Sequence, residues 1–274
     1  MRDAESLIVT PERLSGELSS GSGPLLIDLR PAHEFARHQL PRAVHLDLWG
    51  VSLIDTSEAP LRAFMWMVGH LFSLRGVDVD RPVVVYEHDS GVRAARAFWL
   101  LEYLGHPNVR LLDGGIKAWR RLGLALGTEP VVPTPSSWHG ERSDHRIATR
   151  KDVVARLGQP DTVLLDTRSE DEYCGRVIRA RRGGHIPGAV HLEWTENLTA
   201  DGAYKSPDEL RGLYAPLGVT PEREIVTYCQ GGYRAAHSYL ALRLLGFPRV
   251  RNYTGSWKEW GDRDDVPVDT PEPS

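Results

Sequence analysis

The chain has 274 residues, 41% hydrophobic and 26% charged, enough for one large or two medium cores. A net charge of −4 excludes the basic footprint of a nucleic-acid binder, and the most apolar run, FMWMVGHLF, is too short to cross a membrane and is interrupted by His70. MRDAESLIVT has no signal-peptide core, two cysteines make neither a disulfide framework nor a zinc cluster, and the eleven histidines form no metalloprotease pattern. With no Walker or dinucleotide fingerprint either, the expectation is a cytoplasmic protein without metal or other cofactor.

The predicted elements begin at Thr10-Pro11, an N-cap followed by proline at the first helical position, opening a short helix to Leu18. Strand-like runs follow at 25–28, 43–46, 83–86 and 109–112, alternating with helical segments at 61–74 and 92–104. Residues 127–145, rich in proline, serine and charge, read as an extended linker. Thr149 then opens a helix before Leu157, as Thr10 does in the first half.

From there the chain repeats itself. LLIDLRPAHEF matches VLLDTRSEDEY, placing Asp28 on Asp166 and Arg30 on Arg168, and LPRAVHL matches IPGAVHL. Between these two blocks the second copy carries eight extra residues, in a stretch between Tyr173 and Ile186 that holds Arg176, Arg179, Arg181 and Arg182. VVVYEHDSGVRAARAFWLLEYLG then parallels IVTYCQGGYRAAHSYLALRLLG, and DGGIKAW parallels TGSWKEW. Four blocks in one order indicate duplication. The alternation of strand and helix in each half gives the fold class: α/β, two tandem domains, each a parallel sheet with helices on both faces.

One stretch in the second copy carries chemistry. In 224–246, EIVTYCQGGYRAAHSYLALRLLG, a buried-strand run ends at Tyr228 and a helical pattern follows, stopped by Gly246 and Pro248. Cys229 sits between them. Gly231 and Gly232 let the backbone curl so that N–H groups converge, and the following helix adds the positive end of its dipole. Cysteines at helix N-termini ionise more readily than free ones, so no adjacent base is required. His237 lies about two turns further on and reads as a packed helix residue. Where the second copy has Cys229 the first has Glu87, and its stretch from Glu87 to Arg93 is one residue longer than Cys229 to Arg234. The first copy therefore has no nucleophile.

Asp-x-Arg early in each half, Gly184-His-Ile-Pro-Gly-Ala189, the loop Cys229 to Arg234 and Gly255-Ser-Trp-Lys-Glu-Trp260, in this order, resemble the tandem-domain rhodaneses, or sulfurtransferases, over nearly the whole chain. The resemblance implies an inactive domain at 1–126, a linker at 127–145 and a catalytic domain at 146–274. It also implies a cysteine, here Cys229, that accepts sulfane sulfur as a persulfide and passes it to cyanide, a thiol or a thioredoxin-like acceptor. The loop differs from Cys-Arg-Lys-Gly-Val-Thr of the thiosulfate enzymes and Cys-Gly-Ser-Gly-Val-Thr of the 3-mercaptopyruvate enzymes, so the donor is open between these two anions.

Gln230, Gly231, Gly232, Tyr233 and Arg234 are the expected donor-binding residues, with Arg182 of the insertion supplying further charge. A guanidinium fork at Arg234 suits the compact dianion thiosulfate, although a position at the loop end also allows Arg234 to turn outward. Asp166 and Arg168 are expected to brace the strand end, His185 to bond a neighbouring loop, and Trp257 and Trp260 to be core or pocket wall. Cys174 beside the insertion is a candidate resolving thiol. The rival enzymes, cysteine phosphatases and arsenate reductases, need Cys-x5-Arg, one residue more than this loop has. A rival outside enzymes is a non-catalytic sulfur-carrier or binding module.

Overall fold

The computed structural model describes residues 7–20 and 23–270; MRDAES, part of the stretch searched for a signal-peptide core, lies outside them. The described residues fall into two compact units. One gathers the chain up to Val51, Ala63–Ser143 and Leu198–Tyr204; the other gathers Ser52–Arg62, Asp144–Asn197 and the chain from Lys205 onward.

In the first unit the strands are β1 (Ile8–Val9), β2 (Leu25–Asp28), β3 (Val44–His45), β4 (Val83–Tyr86) and β5 (Val109–Leu112). They form one sheet in the order β1-β5-β4-β2-β3, every pair parallel. All four residues of β2, β4 and β5 are buried. Because successive side chains point to opposite faces, unbroken burial means that both faces are covered. The helices are α1 (Pro11–Ser19), α2 (Ala32–Phe35), α3 (Glu58–Ser73, begun in the other unit's stretch), α4 (Val92–Tyr103) and α5 (Gly115–Arg121). Thr10 caps α1 by accepting from the Arg13 amide, as its Thr-Pro start predicts. The expected strand at 43–46 shortens to Val44–His45, an edge strand paired to β2 over two residues.

The second unit repeats the plan with β6 (Ile147–Ala148), β7 (Thr162–Asp166), β8 (Val190–His191), β9 (Glu224–Tyr228) and β10 (Val250–Tyr253), all parallel, in the order β6-β10-β9-β7-β8. Its helices are α6 (Arg150–Arg156), α7 (Glu170–Tyr173), α8 (Pro207–Tyr214), α9 (Tyr233–Leu244) and α10 (Ser256–Gly261). Thr149, Ser169 and Ser206 each close a capping box at the start of α6, α7 and α8.

The duplication extends to the cores. Leu26, Val84, Tyr86, Ile116 and Trp119 pack together in one unit, and Leu164, Val226, Tyr228, Trp257 and Trp260 take their places in the other. Tyr86 accepts the Leu40 amide at 3.1 Å as Tyr228 accepts that of Ile186 at 3.2 Å. Residues 129–143 contain no helix or strand and are held to the first unit by main-chain bonds, Ser136 to Ser73 at 2.9 Å and Glu141 to Leu104 at 2.9 Å. Also in that unit, the turn at Leu198–Tyr204 donates the Tyr204 amide to Asp113 at 3.0 Å and accepts the Ser90 amide on the Gly202 carbonyl at 2.8 Å. Among the described residues no helix is long and apolar enough to cross a membrane.

Candidate active site

β9 is the middle strand of its sheet, and in parallel sheets ligand sites lie beyond the carboxyl ends of the strands. Cys229 is the first residue past that end and is 1% exposed. Three residues on, Gly232 caps α9 with φ +82°, and a Cβ there would meet the Thr254 carbonyl oxygen and Oγ1 at 2.9 Å each. Only glycine fits both demands. The cap turns the Gly232 N–H onto the Cys229 Sγ at 3.2 Å, the inward donor that the double glycine predicts.

α10 holds the loop from behind. Its Trp257 and Lys258 amides donate to the Cys229 and Gln230 carbonyls at 2.9 and 3.0 Å. Ser256 accepts the Cys229 amide on Oγ at 3.1 Å and donates its hydroxyl to the Tyr253 carbonyl at 2.7 Å. It does so from φ +53°, a left-handed conformation unfavourable for a residue with a Cβ. Ser256 was visible within the Gly-Ser-Trp motif, but nothing in the sequence assigned it this brace.

Arg234, on the first turn of α9, forks onto Glu172 of α7: Nη1 to Oε2 at 2.5 Å and Nη2 to Oε1 at 3.0 Å. Burial alone would raise the Glu172 carboxyl, but the Arg234 fork outweighs it and holds the group at about 2. Burial works against the charge on Arg234 too, and the bonds to the Glu172 carboxylate and its charge more than restore it, so the guanidinium stays protonated. Glu172 is the residue that sequence reasoning missed. Its signal was Ser169-x-x-Glu172, a capping box whose carboxylate is buried and bonds Arg234 as well.

Gln230 donates its side-chain amide to the Arg179 carbonyl at 2.9 Å, tying the insertion to the loop. Gly231 and Tyr233 are half-buried. Arg182, expected to supply further charge, donates from its two terminal nitrogens to the Val266 and Trp260 carbonyls at 2.9 and 3.2 Å and so holds the insertion to the end of α10. Cys174 caps the C-terminus of α7 as a half-buried free thiol. His237 is fully buried in α9, edge-on to Trp194. His185 donates from Nδ1 to the carbonyl of Tyr173, the last residue of α7, at 3.1 Å.

Arg168 chelates Asp166, with Nη2 to Oδ2 at 2.6 Å, reaches the Gly184 carbonyl at 2.7 Å and lies over Trp257. Arg30 and Asp28 do the same in the first unit, again at 2.6 Å, with the His38 carbonyl as third partner. A pair kept in both copies belongs to the fold, so the bracing role holds.

The corresponding turn of the first unit is filled from within. Glu87 stands where Cys229 does, and its Oε1 accepts the Arg93 and Ala94 amides of α4 at 2.6 and 3.0 Å. Burial, aided by Asp89 and opposed by those two amides, raises its carboxyl to about 7. The longer loop presses on α5: a Cβ at Gly115, the counterpart of Ser256, would lie 2.5 Å from the Glu87 carbonyl oxygen. No serine brace fits there.

The rhodanese-like domain family model matches residues 10–122 and again 149–263. A thiosulfate sulfurtransferase of Azotobacter vinelandii is 35% identical over 263 residues, covering 96% of this chain and 97% of that protein. The sulfur carrier protein TtuD of Thermus thermophilus is 40% identical over 206 residues, covering 70% and 72%. In fold, the chain superposes on the anaerobic ergothioneine biosynthesis enzyme of Chlorobium limicola with a TM-score of 0.85 at 21% identity, over 100% of this chain and 72% of that one. Two family-model matches spanning both units, and relatives of this identity along nearly the full chain, establish that the protein belongs to the rhodanese family, as a tandem of two rhodanese-like domains.

Proposed function

We propose that the protein is a thiosulfate sulfurtransferase whose residues 146–274 form the catalytic domain, with 1–126 catalytically silent and 127–145 joining them. The observation that carries this reading is the buried Cys229 sulfur under the Gly232 N–H at the start of α9, in the copy whose counterpart holds a carboxylate. The thiolate attacks the outer sulfur of thiosulfate, the donor's S–S bond breaks, and sulfite leaves with the electron pair. The Cys229 persulfide that remains is stabilised by the same N–H cradle, each charge-assisted bond contributing about 1.5–3 kcal/mol. A nucleophile, cyanide or a thiol, then attacks the outer sulfur and returns the Cys229 thiolate. Sulfur is stored covalently, so the cycle uses no metal or organic cofactor.

Gln230, Gly231, Gly232 and Tyr233 form the wall of the donor site, and Arg234 receives the donor's anionic end. A cytoplasmic setting, where thiols are kept reduced, suits both free cysteines and a thiol acceptor. The 40% identity to a protein named as a sulfur carrier favours a second reading of the later half-reaction, in which the acceptor is itself a protein thiol of the thioredoxin type. Mass spectrometry after thiosulfate treatment tests the core of the proposal: one added sulfur is expected on the Cys229 peptide, and none in Cys229→Ser. Sulfur on Cys174 instead, with turnover surviving Cys229→Ser, would overturn it.

A further inference from the structure

Arg234 is already occupied. Both of its terminal nitrogens are bound to Glu172, at 2.5 and 3.0 Å, so an anion approaching Cys229 meets a guanidinium whose fork is closed by a carboxylate of the protein itself. The two ends of this pair are unequal. Glu172 is 2% exposed, whereas the Arg234 side chain is 21% exposed.

The carboxylate also has other partners. Oε2 accepts the Ser169 amide and hydroxyl at 3.3 and 3.1 Å, and Oε1 lies 3.3 Å from Nε of Arg179, which is 61% exposed on the insertion. Removing one partner of a buried pair is expensive because it leaves a buried charge alone. Here it would not be alone: if Arg234 turned to another anion, Glu172 would keep Arg179 and the α7 cap.

The first unit shows that the fold itself does not require the pair. There the counterpart of Glu172, Glu34, faces Arg30 at 3.7 Å, while the counterpart of Arg234, Arg93, bonds Asp47 at 2.8 Å and stacks on Trp49 at 4.4 Å. The Glu172–Arg234 fork therefore belongs to the copy that carries the cysteine.

We propose that Glu172 is an internal competitor of the sulfur donor: it masks Arg234 in the resting site, the donor's anionic end displaces it, and Arg179 takes up the released carboxylate. This rests on the reading of Arg234 as the donor's anchor. Glu172 touches no reacting atom; it sets how tightly the donor is held. A carboxylate that merely propped Arg234 in place would have the opposite effect on removal, because the guanidinium would wander and binding would weaken.

The test is steady-state kinetics with thiosulfate and cyanide on five purified full-length variants, three single and two double. Glu172→Gln keeps an acceptor for the Ser169 cap and loses the charge. Its KM for thiosulfate is expected to fall about tenfold, the equivalent of one charge-assisted bond, with kcat unchanged. Introduced into Arg234→Gln, the same change is expected to have no effect on KM. A rise in KM, or a fall that persists without Arg234, overturns the proposal. Arg179→Gln, at an exposed position where folding is not at stake, is expected to raise KM severalfold, and to do nothing once Glu172 is glutamine; an effect that persists there would be long-range charge alone and counts against the exchange. If Arg234→Gln by itself leaves the thiosulfate KM unchanged, the anchor reading fails first, and the competitor with it.

Discussion

Replacing Glu87 by glutamine should make the protein more stable at pH 8 while changing little at pH 5. The carboxyl is buried at the start of α4 and stands at about 7 against an ordinary value of 4.5, chiefly because burial penalises its charge. A raised folded value means that the folded state holds this proton more tightly than the unfolded chain does. The stability it lends is fully present below about 4.5 and is lost as pH rises through about 7. At 1.36 kcal/mol per unit, the difference amounts to about 3 kcal/mol. Glutamine has no proton to lose and keeps a carbonyl for the Arg93 and Ala94 amides. Denaturant unfolding of both proteins from pH 5 to 9, read as the difference between them, cancels every other titrating group. The variant's advantage should grow from about pH 5 to about 7 and level off at about 3 kcal/mol over wild type at pH 8–9. Asp89→Asn, which removes a neighbouring negative charge, should shrink that gain. A pH-independent difference would refute the assignment of a buried proton to the silent loop.

Arg234→Lys keeps the charge and loses the fork, so thiosulfate KM should rise about ten- to a hundredfold, well beyond the rise for 3-mercaptopyruvate; equal losses, or a wild-type preference for 3-mercaptopyruvate, would reassign the donor. Glu172, depressed to about 2, contributes stability that is present above about 4.5 and lost as pH falls toward 2, about 3 kcal/mol in all; acid unfolding of Glu172→Gln should lack that loss, and parallel curves would contradict it. Ser256→Ala leaves the Cys229 amide buried without its acceptor and should cost about 1–3 kcal/mol in thermal or denaturant unfolding. Ser256→Gly should cost less, since glycine tolerates φ +53°, and a glycine variant weaker than the alanine one would contradict the left-handed backbone at this position.

What was legible in the sequence was what repeats or alternates. β2, β4 and β7 are continuous apolar runs because parallel strands are covered on both faces, and such runs announce themselves. Cys229 and Gly232 were legible because a strand end, a glycine needing positive φ and a helix start leave little freedom for what lies between. Partner choice was not legible. Arg234 and Glu172 lie 62 residues apart, and no local pattern says which of the acids in the chain a given arginine will meet. The partners of Arg182 were hidden for the same reason: a cluster of arginines suggested an anion, whereas the terminal nitrogens of this one bond the Trp260 and Val266 carbonyls. Ser256 was hidden because its value lies in a backbone conformation that serine rarely adopts.

The two copies show how one turn can be held in two ways. Both end a central strand in a loop whose carbonyls are caught by the next helix but one, Glu87 by the Ile116 amide and Cys229 by the Trp257 amide. Each turns main-chain N–H groups inward at the start of the following helix, those of Arg93 and Ala94 in the first copy and that of Gly232 in the second, and such a cradle favours negative charge. The first copy fills it with the Glu87 carboxyl, which is part of the chain and cannot leave, and the extra loop residue then crowds out any side chain at Gly115. The second supplies only a thiol, closes the loop by one residue, and uses the space so gained for the Ser256 hydroxyl behind the cysteine amide. Its cradle can therefore be charged and discharged, which a transfer site requires. The silence proposed for the first domain rests on more than a missing nucleophile: a cysteine placed at position 87 would inherit a longer loop and a glycine where the brace belongs, so the three differences act together.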